Sequence, residues 1–291
     1  MIQNDAAIPS HFVEEWEREI ARYVEKFSDN MAARNVLETR TVGEDVQIDI
    51  STTYDRTGPD EQILAKGVAP ESMGIQAEEI KHDVYQIATG FWLNRKDLKS
   101  DPKTKNRLVD VAIRDIHRAE DDFALNGSTK VNVNGIVGAA QANANGKITT
   151  STNAGKWSGE TGTDIYDDIN SAIALMDGDF EPAFLVGNRT DLLRLNRLDS
   201  ERQAYYKSVS GLFGKTNEND KSWMFMTKRI VAGKVYVIPK DFMAGEFVIG
   251  ENAHIVDDYP MQPGQRFWVE AVAWVVPEMH QNDAFVEIAT G

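Results

Sequence analysis

The sequence has no cysteine among its 291 residues. Disulfide bonds and thiolate metal sites are therefore excluded, although this absence does not fix the cellular compartment. Long apolar runs are also absent, because no window approaches the ~18 apolar residues that a membrane-spanning helix needs. The opening MIQNDAAIPSHF does not have the pattern of a signal peptide. These absences predict a soluble chain that is made and used in a cytoplasm.

A basic surface is also missing. The chain has 31 Lys and Arg residues against 46 Asp and Glu residues, which gives a formal net charge of −15. A protein that grips nucleic acid through its phosphates needs a basic face. The densest basic run lies within residues 95–107 and is diluted by acids, so we interpret it as the solvated start of a helix.

Recognisable reaction centres are absent as well. Neither G-x-G-x-x-G nor G-x-x-x-x-G-K-[ST] occurs, so the sequence offers no loop that would cradle phosphates. Ser210, in SVSGLFG, does not lie in a G-x-S-x-G elbow, and the five histidines form no triad pattern. The sequence therefore predicts no catalytic residue, no cofactor and no enzymatic role.

Three groups of acidic residues have spacings that can bind divalent cations. His117, Glu120 and Asp121 share a helix face at i, i+3 and i+4. A second helical carboxylate motif is missing, so we interpret this group as solvated helix surface. The pairs Asp167/Asp168 and Asp257/Asp258 can bind calcium, but a helix start and a loop explain them better. No metal site is predicted.

The longest regular pattern runs from Glu79 to Gly138. A strand beginning at Glu79 is predicted to be covered on both sides, because apolar residues alternate onto both of its faces. One face carries Tyr85, Ile87, Phe91 and Leu93, and the other carries Val84, Ala88 and Trp92. Pro102 then starts a helix that Gly127 ends in a left-handed conformation. Its apolar stripe consists of Leu108, Ala112, Ile116, Ala119 and Phe123.

The region before this pattern predicts an arm and a projection. Residues 10–28 form an amphipathic helix whose apolar face includes Phe12 and Trp16. Residues 46–50 alternate as a strand, and turn formers then interrupt a polar stretch up to residue 76. This pattern predicts an extended two-stranded excursion, which is only marginally stable alone and must lie on something.

The second half mixes helices with short strands. Residues 135–163 are predicted to be loop with one short strand, and Thr163 is predicted to cap a helix with a core stripe. A strand at 182–187 and a helix from Asn188 or Thr190 follow, and the stretch 206–222 is predicted to be flexible, at a pore or an outer surface. Strands at 229–239 and 245–259 precede the alternating closing strands QRFWVEAVAWVVPEM and AFVEIAT. The closing strands are predicted to pair with the strand that begins at Glu79.

The ordered set of these segments resembles the major capsid protein of tailed viruses with the Hong-Kong-97-like fold, which encapsulin shell proteins share. The segments that carry the resemblance are the Trp16 helix, the loop near 46–78, GFWLNRKDLKS, HRAEDDFALNG, GIVG, DIYDDINSAIALM, PAFLVGNRTDLLRL and KVYVIPKDFMAGEFVIGENAHIVDD. No single motif among them is specific, but together they cover nearly the whole chain.

The resemblance implies an α+β capsid fold with four parts. These are an N-terminal arm at 1–45, an extension loop at 46–78, a peripheral domain at 79–134 and 258–291 with its spine helix at 102–126, and an axial domain at 135–257. It also implies self-assembly into an icosahedral shell of pentamers and hexamers. The residues expected at assembly contacts are Phe12, Trp16, Tyr54, Arg56 and Lys66.

The resemblance also implies partners and a location. For a viral capsid protein these are portal, scaffold or decoration proteins and enclosed double-stranded DNA that is bound without sequence specificity, in a virion assembled in the host cytoplasm. The alternative is an encapsulin-type compartment that encloses cargo enzymes in the cytoplasm, and a third alternative is a soluble acidic enzyme. Some family members cross-link covalently through a loop lysine and an asparagine of another subunit; Lys66 and Asn282 occupy comparable segments, but we expect an ordinary exposed lysine.

Overall fold

The structure of the protein is a computed structural model that describes residues 32–43, 48–57, 74–94, 102–149, 157, 162–176, 178–198, 203–256 and 266–291. The helices are α1 (Ala32–Val36), α2 (Pro102–Asn126), α3 (Ile136–Ala142), α4 (Gly162–Ala174), α5 (Arg189–Leu192) and α6 (Tyr205–Ser210). Short 3₁₀ turns lie at Leu193–Asn196, Gly211–Phe213 and Asn282–Ala284. The strands are β1 (Glu38–Thr41), β2 (Ile48–Thr57), β3 (Gly74–Asp83), β4 (Tyr85–Asn94), β5 (Lys147–Thr149), β6 (Pro182–Asn188), β7 (Met224–Thr227), β8 (Lys234–Pro239), β9 (Gly245–Val256), β10 (Arg266–Met279) and β11 (Val286–Ala289).

The strands form two mixed sheets and a separate hairpin. A four-stranded sheet has the order β1-β9-β10-β4, in which β1 runs parallel to β9 and the other neighbours are antiparallel. A five-stranded sheet has the order β5-β11-β8-β6-β7. The predicted pairing of the first closing strand, β10, with β4 is confirmed, with a register that runs from Arg266 opposite Asn94 to Val275 opposite Tyr85. The same prediction is wrong for the second closing strand, β11, which pairs with β5 and β8.

Sheet membership differs from the predicted division of the chain at two strands. β9 falls within the range assigned to the axial domain, yet it lies between β1 and β10 in the four-stranded sheet. β11 falls within the range assigned to the peripheral domain, yet it pairs with β8 and β5 in the five-stranded sheet. Each sheet therefore contains a strand from the other predicted range, and the domain boundaries stay a prediction.

The hydrophobic core has two large clusters. One is shared by both sheets and contains Leu37, Leu125, Ile136, Tyr236 and Phe247. The other packs α4 against the five-stranded sheet and contains Trp157, Ile165, Ile169, Val237 and Ile288. Because the first cluster includes residues of both sheets, the two sheets share one hydrophobic core.

The spine helix α2 has the predicted bounds, Pro102–Asn126. Ala112, Ile116 and Phe123 of the predicted stripe are buried. Gly127 follows with a φ of 69°, and its N–H donates to the carbonyl of Phe123 at 2.8 Å. This left-handed glycine ends the helix as predicted.

The strand that was predicted to begin at Glu79 is two strands. β3 ends at Asp83 and β4 begins at Tyr85, with Val84 between them. Val84 is buried with Val248 and Val276, so it anchors the chain where the hairpin enters the sheet. The second strand of the extension therefore starts inside the predicted loop and continues past its predicted end at residue 78.

The prediction that this strand is covered on both sides is wrong for the described chain. Tyr85, Ile87 and Phe91 are half-buried on the side of α2, and the ring of Tyr85 meets that of Phe123 edge-on at 6.1 Å. On the opposite face Ala88 and Trp92 are exposed. The spine helix covers only one side of β4, which leaves an apolar surface open.

Several local predictions also need correction. Residues 136–142 were predicted to be loop but form α3, because the small apolar residues of IVGAAQA pack against the core without a stripe of large side chains. The helix predicted to be capped by Thr163 begins one residue earlier, at Gly162. The stretch 206–222, predicted to be flexible, contains most of α6 and a 3₁₀ turn. Phe213, within that stretch, stacks on Trp223 with their ring centroids 4.7 Å apart.

None of the helices in the described residues is both long and apolar enough to cross a membrane.

Candidate assembly surface

The hairpin of β2 and β3 forms a two-stranded sheet of its own. Its two ten-residue strands pair antiparallel from Ile48 opposite Asp83 to Thr57 opposite Gly74. Among the described strands, β2 and β3 pair only with each other, and they form a sheet apart from the two larger ones. The predicted two-stranded excursion is therefore confirmed, with its described strands at 48–57 and 74–83.

Two of the five predicted assembly residues lie in this hairpin. Tyr54 occupies the register position opposite Ala77, and Arg56 the position opposite Ile75. Phe12, Trp16 and Lys66 lie outside the described residues, as does the predicted helix at 10–28. Their roles stay predictions, because the structure brings none of these five residues into a described contact with another.

The other residues singled out in the sequence have ordinary structural roles where they are described. Ser210 is buried and donates its hydroxyl to the carbonyl of Lys207 at 2.8 Å. Asp168 accepts a hydrogen bond from the indole N–H of Trp157 at 3.0 Å. Asn282 is exposed in a 3₁₀ turn, and Asp257 and Asp258 lie outside the described residues. None of these groups assembles a reaction centre.

The interpretation of Glu120 and His117 as solvated helix surface is wrong. Glu120 is 1% exposed and His117 is 4% exposed. Nδ1 of His117 lies 2.9 Å from Oε2 of Glu120, and Nη2 of Arg34 lies 3.3 Å from Oε1 of Glu120. Arg34 comes from α1, far away in the sequence, so the helical spacing alone does not predict this ion pair. The buried carboxylate is neutralised by an arginine rather than exposed for a metal.

Asp121, the neighbour of Glu120, also faces α1. Its Oδ1 accepts a hydrogen bond from the backbone N–H of Ala33 at 3.0 Å. Burial raises the pKa of Asp121 to about 6; the Ala33 hydrogen bond opposes the rise and the Glu120 charge adds to it. Burial would raise the pKa of Glu120 as well, but its hydrogen bonds with His117 and Arg34 outweigh the burial and lower the pKa.

A second buried polar cluster fixes β1. Nε of Arg40 donates to Oε2 of Glu246 at 2.8 Å, and its Nη2 lies 3.7 Å from Oε2 of Glu278. Nε2 of His280 lies 3.5 Å from Oε1 of Glu246. Burial would raise the pKa of Glu246, but hydrogen bonds from His280 and Arg40 outweigh burial and lower it to about 2.

The ligand atoms of Glu246, Glu278 and His280 lie within 4.8 Å of one another, which is a spacing that divalent cations can use. The guanidinium of Arg40 already contacts both carboxylates, so a cation there would have to displace it. We therefore interpret the cluster as a structural joint. The sequence gave no sign of it, because its members come from three strands and a connecting residue.

These two clusters fasten residues 32–41, which we call the anchor segment. The anchor segment comprises α1, Leu37 and β1, and it precedes the hairpin. Ala33, Val36 and Leu37 are buried in the core that both sheets share. The base of the hairpin is therefore attached to the body by apolar packing and by three arginine–glutamate pairs, which involve Arg34 and Arg40.

Exposed apolar side chains mark two further surfaces. Trp92 is 45% exposed on the open face of β4, with its ring centroid 5.1 Å from that of Trp268. Phe242 is 63% exposed at the tip of the turn between β8 and β9. That turn is fixed by Asp241, whose Oδ1 accepts the N–H of Met243 at 2.8 Å. Contiguous exposed apolar groups, such as Trp92 beside Trp268, are typical of protein–protein contacts, whereas single exposed apolar residues are common on any surface.

Comparisons with known proteins agree on the kind of protein that carries these surfaces. The model of the phage capsid family matches residues 13–221. No curated protein sequence matches the chain significantly. A virus-like particle from Pyrococcus furiosus is similar in structure with a TM-score of 0.66 and 12% identity, over 95% of this chain and 99% of the other.

Further similar structures include both kinds of shell. The capsid of Myoviridae phage XM1 has a TM-score of 0.61 and 10% identity, over 88% of this chain and 90% of the other. The holo encapsulin complex from Synechococcus elongatus has a TM-score of 0.59 and 12% identity, over 88% of this chain and 85% of the other. These likenesses show the Hong-Kong-97-like fold, and the family match covers most of the chain. The chain is a structural shell protein that belongs to the phage capsid family.

Proposed function

We propose that this chain is the major capsid protein of a tailed double-stranded DNA virus and that its copies close into an icosahedral shell of pentamers and hexamers. The observation that carries the proposal is the hairpin of β2 and β3, which pairs only with itself among the described strands. A two-stranded hairpin is marginally stable alone. A neighbouring copy supplies the surface that it needs.

Shell geometry accounts for this arrangement. Rings of identical subunits use heterologous contacts, in which different faces of one chain meet. A projecting hairpin on one copy and an open apolar face on the next, such as that of Trp92, are suited to such a contact. Stable contacts bury on the order of 1,600 Å², and permanent assemblies often bury more. Tyr54, Arg56 and Lys66 remain the proposed contacts on the extension, and Phe12 and Trp16 on the arm.

The charge of the chain fits an enclosing role. A net charge of −15 disfavours adhesion to DNA phosphates, so the shell would hold DNA without binding its sequence. Portal, scaffold or decoration proteins are proposed as further partners, and the virion, assembled in the host cytoplasm, as the location. We propose no enzymatic role. The division into a peripheral domain around the spine helix and an axial domain also remains part of this proposal.

A cellular compartment of the encapsulin type is the second candidate, because the Synechococcus elongatus encapsulin has a similar fold. That likeness is one of fold at 12% identity, whereas the family model that matches is that of phage capsids. The contents of native particles distinguish the two. Nuclease-protected DNA is expected inside a viral shell, and cargo enzymes without protected DNA are expected inside the compartment.

Electron microscopy of the protein expressed alone tests the shared part of the proposal. We expect discrete closed shells or rings of five and six subunits. A folded chain that stays monomeric at high concentration, with far-ultraviolet circular dichroism of a mixed α+β protein, would contradict both shell functions.

A further inference from the structure

The anchor segment connects to the spine helix through a carboxyl group in an unusual position. Oδ1 of Asp121 accepts the backbone N–H of Ala33 in α1, at 3.0 Å. The first N–H groups of a helix have no acceptor inside the helix, and a side-chain oxygen commonly supplies one from the same chain segment. Here the oxygen comes from a different helix, 88 residues further along the sequence. Asp121 therefore both caps α1 and attaches it to α2.

The neighbouring carboxyl group has a lowered pKa, because hydrogen bonds from His117 and Arg34 outweigh its burial. Glu120 is buried, and both of its carboxylate oxygens accept hydrogen bonds from Nη2 of Arg34, at 3.3 and 3.4 Å. Nδ1 of His117 lies 2.9 Å from Oε2 of Glu120. Nη1 of Arg34 donates instead to Oδ1 of Asn252 on β9, at 2.9 Å. The geometry directs the guanidinium to Glu120 and Asn252, not to Asp121. A second negative charge on Asp121 therefore lies beside a first one in a partly desolvated joint.

Among the described residues, charged and polar groups from three segments act on Asp121. α1 contributes Arg34 and the N–H of Ala33, and α2 contributes His117 and Glu120. The turn after β7 contributes the positive charge of Arg229, which acts at longer range. The burial and the charge of Glu120 favour the neutral carboxyl, whereas the Ala33 hydrogen bond, His117 and Arg229 favour the carboxylate.

We propose that Asp121 is a proton-controlled latch, which holds the anchor segment more tightly to the spine helix when its carboxyl group carries a proton. Protonation takes one proton from solvent and removes the like charge beside Glu120. The carbonyl oxygen of the neutral carboxyl still accepts the N–H of Ala33. On acidification the hydrogen bond between Ala33 and Asp121 is therefore kept, and the repulsion between the carboxylates of Asp121 and Glu120 is removed.

The direction of the pH dependence follows from proton linkage. The pKa of Asp121 is about 6 with the segment attached and 3.8 as the ordinary value. The attached state therefore binds more protons between these values, and attachment weakens as the pH rises through this window. Glu120, whose pKa is lowered, acts in the opposite direction only below its ordinary value of 4.5. Between pH 5 and pH 7.5 the latch should change the attachment equilibrium by about tenfold.

Amide hydrogen exchange of the full-length chain tests this inference, with each rate divided by the intrinsic rate at its pH. We expect the amides of residues 33–41 to be about tenfold better protected at pH 5 than at pH 7.5 in the wild type. Asp121→Asn keeps a carbonyl acceptor and cannot titrate, so its protection should be equal at the two pH values and near the wild-type value at pH 5.

Asp122→Asn is the matched control, because Asp122 is the next residue but is exposed and accepts a hydrogen bond from Asn126 of the same helix. This variant should keep the wild-type difference between pH 5 and pH 7.5. The inference is overturned if Asp121→Asn retains that difference, or if the wild type shows none. If Asp121→Asn fails to fold, the wild-type data alone decide the question. The difference in amide protection between pH 5 and pH 7.5 must then be larger in residues 33–41 than in β4 and β10. Because hydrogen exchange is measured on the folded subunit, its result does not depend on whether the subunit forms shells.

Discussion

The indole ring of Trp268 occupies the space in which a side chain at Gly90 would begin. A Cβ atom built on Gly90 would lie 2.2 Å from Cζ2 of that ring, closer than real Cβ contacts come. Gly90 lies in β4, and Trp92, two residues on, pairs directly with Trp268 of β10. The glycine therefore allows two tryptophans to pack on the open face of the four-stranded sheet.

Gly90→Ala should displace the Trp268 ring and reduce the free energy of unfolding by about 1–3 kcal/mol, the usual effect of overpacking. Denaturant unfolding followed by tryptophan fluorescence measures both the stability and the changed environment of the indole. Gly211→Ala is the matched control, because position 211 has a helical φ of −62° and open space around its Cβ. It should stabilise the chain by about 0.4–1 kcal/mol. Equal effects of the two substitutions would mean that Trp268 does not depend on Gly90.

The spine helix could be predicted to the residue, because its signals are all local. Pro102, a stripe of apolar residues at helical spacing and the left-handed Gly127 are each read from neighbouring positions. The hairpin and the pairing of β4 with β10 could also be predicted, since alternation marks strands and turn formers mark their ends.

The rest depended on contacts between distant segments. Glu120 and His117 are polar residues at the edge of the apolar stripe, and Arg34, brought over by α1, is the distant partner that allows the Glu120 carboxylate to be buried. Arg40 likewise meets Glu246 and Glu278 through the parallel pairing of β1 with β9, which no local pattern encodes. α3 was missed because its small residues give no periodic signal, although they pack closely in the core.

Gly127→Ala should destabilise the chain more than Gly214→Ala, although both glycines have nearly the same left-handed φ, 69° and 66°. A Cβ at Gly214 meets open space, so that substitution costs only the conformational term, about 1 kcal/mol. A Cβ at Gly127 would lie 2.3 Å from the carbonyl oxygen of Val133 and 2.6 Å from the nitrogen of Gly135. Backbone atoms cannot move aside cheaply, so the total should be about 2–4 kcal/mol. Comparable midpoints for the two variants in urea would refute the steric argument.

The Arg40 cluster should make the wild-type chain sensitive to strong acid. The pKa of Glu246 is lowered from 4.5 to about 2, so its contribution to stability is present above pH 4.5 and is lost as the pH falls towards 2. We expect a loss on the order of 2 kcal/mol from this group, measured as the free energy of unfolding at pH 4.5 and at pH 2.5. Glu246→Gln should be less stable at pH 4.5 and should lose less on acidification.

Glu251→Gln provides the comparison for this pH dependence. Glu251 is also on β9 and pairs with His254, but it is more exposed than Glu246. Its replacement should leave the acid sensitivity close to that of the wild type. If Glu246→Gln and Glu251→Gln reduce the acid sensitivity equally, the joint between β1 and the sheet is not its source.

Shortening the hairpin should separate folding from assembly. The register places Thr52 opposite Glu79, so residues 53–78 can be replaced by Asn-Gly to close a two-residue turn without shifting any remaining pair. The strands that remain, 48–52 and 79–83, keep their attachment at Val84 and at the anchor segment. Because β2 and β3 pair only with each other among the described strands, the unfolding midpoint in urea should stay close to that of the wild type.

Closed shells should disappear in this variant, because the removed part contains Tyr54, Arg56 and Lys66 and the surface that would lie on the neighbouring copy. Analytical ultracentrifugation and electron microscopy would then find folded subunits or isolated rings where the wild type forms particles. The double substitution Tyr54→Ala and Arg56→Ala in the full-length hairpin is the finer test, since it keeps the backbone and removes two side chains. If the shortened chain still closes into normal particles, the hairpin is dispensable, and the contacts that hold the shell together lie on the body, where Trp92 and Phe242 are the exposed apolar groups to test next.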